Sequence, residues 1–87
     1  MNVTVTKKTK SALNAGTWYF GKINDKFVFE TLVFPQTGEF SLNGSKISVL
    51  WIKEINGKVV FNYDRGLDLD AASEEVRNAV EIICKKF

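Results

Sequence analysis

The pair Asn56-Gly57 constrains this chain more than any other two residues. It separates two runs rich in β-branched and aromatic side chains, Ile47-Ser48-Val49-Leu50-Trp51-Ile52 and Val59-Val60-Phe61-Asn62-Tyr63. Asn-Gly between such runs marks a β-hairpin, because both residues tolerate positive φ. A two-residue loop pairs Ile55 with Lys58, Ile52 with Phe61 and Leu50 with Tyr63. Side chains alternate between faces along a strand. One face therefore carries Leu50, Ile52, Val59, Phe61 and Tyr63, with Ser48 and Arg65 at its far end, and is expected to be core. The other carries Ile47, Val49, Trp51, Lys53, Lys58, Val60, Asn62 and Asp64, a mixed set with a tryptophan at its centre. A bulge at Gly57 would exchange the faces of the second strand.

Upstream, Asn2 to Thr6 alternates apolar and polar residues, as a short edge strand does. The basic cluster Lys7-Lys8-Thr9-Lys10 follows and reads as a solvated strand end. Thr17 to Ile23 and Lys26 to Phe34 are two further strands, joined at Asn24-Asp25. A two-residue turn there sets Phe20 against Phe29, Lys22 against Phe27 and Trp18 against Thr31. It puts Trp18, Phe20, Phe27, Phe29 and Val33 on one face, with Tyr19, Gly21, Ile23, Val28, Glu30 and Leu32 on the other. Pro35 ends the strand, since it cannot donate to a ladder. The loop from Gln36 to Gly44 carries two apolar residues, Phe40 and Leu42, that either dock it onto the sheet or serve binding.

Leu69 to Phe87 has helical periodicity, with Leu69, Ala72, Val76, Ala79, Val80, Ile83 and Phe87 on one stripe. Asp70 or Ser73 can cap its start. The expected fold class is α+β: a four- or five-stranded antiparallel sheet of hairpins with one C-terminal helix on one face, forming a single domain over residues 1–87. One helix covers one sheet face only. The face with Trp51 is left for another chain, and a homo-oligomer, a dimer or higher, is expected.

Composition removes several chemistries. The chain has no histidine and one cysteine, Cys84. Serine–histidine and cysteine–histidine catalysis, ordinary zinc sites and an internal disulfide are thereby excluded. The ten acidic residues show no spacing that marks a catalytic pair. We expect no enzyme activity and no cofactor. Twelve basic against ten acidic residues leave a net charge of +2, which argues against nucleic acid as a partner. No apolar run is long enough for a membrane helix, and the first ten residues lack a signal peptide's apolar core. A cytoplasmic location is expected.

The densest polar motif is Tyr63-Asp64-Arg65-Gly66-Leu67-Asp68. Arg65 between two aspartates is either a clasp tying the strand end to the start of the helix or a fork for a phosphate or carboxylate. The clasp is the expected role, with Gly66 supplying a left-handed turn. Taken with Asn43-Gly44-Ser45-Lys46-Ile47-Ser48-Val49-Leu50, the motif resembles a small uncharacterised family of short proteins from Firmicutes and their phages. That family runs Gly-Gly-Arg-Ile-Ser-Lys-Leu, then Tyr-Asp-Arg-Gly-Trp-Asp. Here Ser45-Lys46 stands for Gly-Arg, Val49 for Lys and Leu67 for Trp. The resemblance spans roughly residues 17 to 87 and implies a phage-type, host-cytoplasmic setting. In that setting the expected function is noncatalytic binding: an anti-defence protein that sequesters a small nucleotide or blocks a host protein. A homo-oligomeric accessory protein is the alternative. Candidate binding residues are the aromatics Trp18, Tyr19, Phe40 and Trp51, with Lys46 and Ser48 and, from the motif, Tyr63, Asp64, Arg65 and Asp68.

Overall fold

Two turns at the same end of the sheet set its register. The first is Asn24-Asp25-Lys26, where the Lys26 N–H donates to the Ile23 carbonyl at 3.1 Å and Asn24 and Asp25 both have positive φ. The second is Ile55-Asn56-Gly57, closed by Gly57 N–H to the Glu54 carbonyl and Glu54 N–H to the Lys58 carbonyl, both at 2.8 Å. They touch, because the Ile55 N–H donates to the Lys26 carbonyl at 3.1 Å.

The computed structural model describes all 87 residues. Its strands are β1 (Val3–Lys10), β2 (Thr17–Ile23), β3 (Phe27–Val33), β4 (Ile47–Glu54), β5 (Val59–Asp64) and β6 (Leu67–Leu69). They form one antiparallel meander in chain order. A 3-10 turn, Leu42–Gly44, lies between β3 and β4, and the helix α1 (Glu74–Lys86) closes the chain. The architecture is the expected α+β sheet with one C-terminal helix, but with six strands instead of four or five. The extra strand is Leu67–Leu69, made of the last two residues of the polar motif and the first of the helical stripe. The helix starts at Glu74 because Ser73 Oγ accepts from the Val76 N–H at 3.2 Å, which terminates the helix there; Asp70 instead accepts from the next residue, Ala71. Leu69 is consequently exposed, and Ala71, not Ala72, is buried.

α1 lays Val76, Ala79, Val80 and Ile83 against Ile23, Phe27, Phe29, Leu50, Ile52 and Phe61 of the sheet. Each fully buried Val, Ile, Leu or Phe side chain contributes roughly 1.5–3 kcal/mol, so this face holds the molecule together. Lys26 Nζ adds a 2.8 Å bond to Glu75, linking the first turn to the helix start, and that bond is the main cause of the raised lysine pKa.

The two hairpins treat the expected register differently. Across β4 and β5 the pairs Leu50–Tyr63 and Ile52–Phe61 stand as expected. The turn there is one residue longer than a two-residue loop, but a bulge between Ile52 and Lys53 absorbs the difference. Val60, not Val59, consequently joins Phe61 against the core. A second bulge opposite Leu32 and Val33 turns Ile47 inward, where it is fully buried, against the expectation of the mixed face. Across β2 and β3 no bulge intervenes, and the register slips by one. Gly21 faces Phe29, Trp18 faces Leu32 and Phe20 faces Glu30. Trp18 and Phe20 therefore leave the face of Phe27 and Phe29, and Tyr19, Gly21 and Ile23 replace them there.

The second sheet face has no helix over it. Its cross-strand rows run Thr4–Lys22–Val28–Lys53, Lys7–Phe20–Glu30–Trp51–Asn62 and Thr9–Trp18–Leu32–Val49–Asp64. Trp51 at the centre is 42% exposed. β1 extends through Lys10, so the basic cluster is the exposed end of that strand, as expected.

Candidate functional site

The Tyr63-Asp64-Arg65-Gly66 motif forms the corner between β5 and β6. Tyr63 Oη donates to the Phe40 carbonyl at 2.7 Å, which fastens the loop after β3 to the end of β5. The Arg65 N–H donates to the Ser48 carbonyl at 3.0 Å, and the Asp64 N–H to the Gly66 carbonyl at 2.9 Å. These bonds hold Arg65 at φ 55°, in the left-handed region, while Gly66 is not left-handed. The expectation for Gly66 is thus corrected. A non-glycine residue in this region costs about 1–2 kcal/mol and marks a position whose side chain is needed or whose surroundings dictate it.

The side chain of Arg65 is free to act. Its Nη1 lies 3.4 Å from Asp64 Oδ1, and the two side chains are 59% and 52% exposed. Asp68 makes no hydrogen bond or ion pair, so the clasp from strand end to helix start is absent. The reason is the extra strand: Asp68 is held in β6 at the sheet edge and forms no ion pair with Arg65. Instead Arg65 borders a cleft of about 480 Å³ with Ser48, Phe34, Gln36, Thr37 and Phe40 among its lining. Glu39 is the one acidic residue there.

The loop around this cleft is built, not loose. Ser41 Oγ accepts from the Gly38 N–H at 2.8 Å, and the Phe34 N–H donates to the Lys46 carbonyl at 2.9 Å. Leu42 is buried and anchors the loop, with Ser45 Oγ donating to its carbonyl at 2.6 Å. Phe40 is 56% exposed. The two alternatives for the loop are therefore divided between its two apolar residues: Leu42 docks, and Phe40 remains available. A guanidinium fork, hydroxyls and an exposed ring around one cleft can hold an anionic group attached to a flat ring.

The ten candidates do not converge on one place. Phe40, Ser48, Tyr63 and Arg65 meet at the corner. Trp18, Trp51 and Asp64 belong to the uncovered sheet face, where they line a separate cleft with Glu30, Val49 and Asn62. Tyr19 is on the helix side, its ring 4.6 Å from that of Phe87, and so is structural. Lys46 is exposed and contributes its carbonyl, and Asp68 stands alone on β6. Gln36, Thr37, Glu30 and Asn62 were missed. Glu30 had one signal, a carboxylate in the otherwise apolar run Phe27-Val28-Phe29-Glu30-Thr31-Leu32-Val33. The others acquire meaning only from cross-strand register and loop path.

Cys84 is half-buried, and burial pushes its thiol pKa up, away from the thiolate that nucleophilic chemistry needs. No group of three His, Cys, Asp or Glu side chains is placed to hold a metal ion. No helix is long and apolar enough to cross a membrane. Residues 17–87 match a protein family described as a domain of unknown function (DUF7678). No curated protein and no solved structure matches the chain.

Proposed function

The chain belongs to the DUF7678 family, and from that premise we propose that it is a noncatalytic, phage-type binding protein that sequesters a small nucleotide in the cytoplasm of a host cell. The observation that carries the reading is Arg65: a left-handed, exposed arginine with no clasp to make, its backbone N–H held by the Ser48 carbonyl at the rim of a cleft of about 480 Å³. That size lies within the roughly 300–1,000 Å³ of small-molecule pockets. Arg65 and the Ser48 hydroxyl take the phosphate, and Phe40 offers its ring to the base. The cleft is lined by no histidine or cysteine, which supports binding without turnover.

Thermal melting with a panel of ribonucleoside monophosphates and cyclic dinucleotides tests the proposal. At least one should raise the midpoint saturably, with about 2.7 kcal/mol of stabilisation at a hundredfold excess over Kd. Arg65→Gly should abolish that rise. It should also leave the unliganded protein as stable as before, or up to about 1 kcal/mol more stable, because glycine relieves the left-handed backbone. Arg65→Lys keeps the charge but loses the fork, and should weaken binding. A panel without effect, or a rise retained in Arg65→Gly, would refute the assignment.

A second reading, a homo-oligomeric accessory protein, draws on the uncovered sheet face and the exposed Trp51 at its centre. Light scattering separates the two: self-association lost in Trp51→Lys favours the second, and a strict monomer at high micromolar concentration rejects it.

A further inference from the structure

The uncovered sheet face holds a cleft that the Arg65 corner does not use. Register places Trp51 between Glu30 and Asn62, and Val49 between Leu32 and Asp64. Trp18 stands across from Leu32, which is 2% exposed and lies between Trp18 and Val49 in the row. The cleft so formed has a volume of about 240 Å³ and is lined by Trp18, Glu30, Val49, Trp51, Asn62 and Asp64. That is less than the roughly 300–1,000 Å³ of ordinary ligand pockets and suits one head group.

The lining has a definite chemistry. Two indoles attract a cation through their ring quadrupoles. Two carboxylates add charge and hydrogen-bond acceptors, and the Asn62 side chain adds another. No cationic side chain lines the cleft. Glu30 makes no ion pair, and Asp64 meets only Arg65, across 3.4 Å in a largely exposed pair. Three lysines share this face: Lys7 is engaged over the Phe20 ring, 5.5 Å from its centroid, and Lys22 and Lys53 flank Val28 in the next row, outside the cleft lining.

We propose that this cleft receives the guanidinium of an arginine side chain presented by a partner protein. A guanidinium stacks flat on an indole, sheds water more readily than an ammonium, and offers five donors to the three side-chain acceptor groups. Free arginine is the poorer fit, because its own carboxylate meets Glu30 and Asp64. An arginine on a protein surface has no such carboxylate, and the aromatic and aliphatic residues around the cleft give that surface something to lie on. The inference does not rest on a ligand being bound at the Arg65 corner, although Asp64 borders both.

The chain has only two tryptophans, so its two indole N–H signals report the cleft directly in a ¹H–¹⁵N spectrum. The probe is N-acetyl-arginine amide, compared with the uncharged N-acetyl-citrulline amide, N-acetyl-lysine amide and free arginine. Both indole signals should shift saturably with the arginine amide. The other three should bind at least about tenfold more weakly, the size of effect expected for losing a charge-assisted bond. Glu30→Gln should weaken the arginine amide by a similar factor, with an unchanged circular dichroism spectrum, and Trp51→Phe should weaken it independently. Citrulline or lysine amide binding equally well, or only one indole responding, overturns the guanidinium assignment. Free arginine binding better than the amide overturns the protein source. Indole shifts that follow protein concentration without any probe would mean that a second copy fills the cleft, and also overturn the proposal.

Discussion

The hairpins β2–β3 and β4–β5 begin from the same deviation and end in opposite states. Each has a three-residue turn where Asn-Asp or Asn-Gly suggested two. In β4–β5 a bulge near the turn takes up the extra residue, and the pairs Ile52–Phe61 and Leu50–Tyr63 stand as a two-residue loop would set them. In β2–β3 the extra residue is never compensated, and the whole of β2 is turned over. One residue in a turn is therefore worth an entire face of a strand unless a bulge cancels it. The uncancelled slip is also what brings Trp18 onto the face of Trp51 and so creates the cleft between them.

Truncations can break or sharpen this contrast. Phe29 and Phe20 would be equivalent partners under the two-residue turn, but Phe29 is 2% exposed in the core while Phe20 lies on the uncovered face. Phe29→Ala should cost about 3–5 kcal/mol in urea unfolding. Gly21→Ala comes next. A methyl group there would meet the Thr4 carbonyl oxygen at 2.3 Å and the Phe29 ring at 2.5 Å. We expect a loss of about 1–3 kcal/mol from overpacking, seen as a lower urea midpoint with an unchanged slope. A harmless Gly21→Ala would put that residue back on the open face and restore the two-residue register. Phe20→Ala should cost least, about 1 kcal/mol. Equal losses for Phe20→Ala and Phe29→Ala would contradict the slip.

Much of the fold was legible because its signals are local. Asn-Gly, Pro35 and the spacing of Val76, Ala79, Val80 and Ile83 each report on a few neighbouring residues, and they delivered the hairpins, the strand end and the helix. Leu67–Leu69 was not legible, since Leu67 and Asp68 read as part of a polar turn and Leu69 as the edge of a helical stripe; the Ser73 cap put the helix start beyond them. The binding candidates were legible as residue types but not as groups. Tyr19 and Trp18 are adjacent in sequence, yet one supports the helix and the other lines a cleft on the opposite side. Alternation separates them, but only register, set by turns whose length the sequence leaves open, decides which of the two meets the helix. The clasp failed for a related reason: Arg65 and Asp68 are three residues apart, but Asp68 is held in the β6 strand between corner and helix and forms no ion pair with Arg65.

Asp64 lines the sheet-face cleft and Arg65 the loop cleft, and the 3.4 Å contact between their side chains joins the two. An anion that draws the guanidinium away from Asp64 leaves that carboxylate free for a cation on the other side, and a cation there frees Arg65. By thermodynamic linkage each ligand would then raise the other's affinity by the same factor. An exposed pair of this kind is worth at most about 1 kcal/mol, so the factor is at most about five. Titrating one ligand in the presence and absence of the other would reveal it, and unchanged affinities would show that the two clefts work separately. A single surface ion pair, negligible as a source of stability, would in this way act as a communication line between two faces of a very small protein.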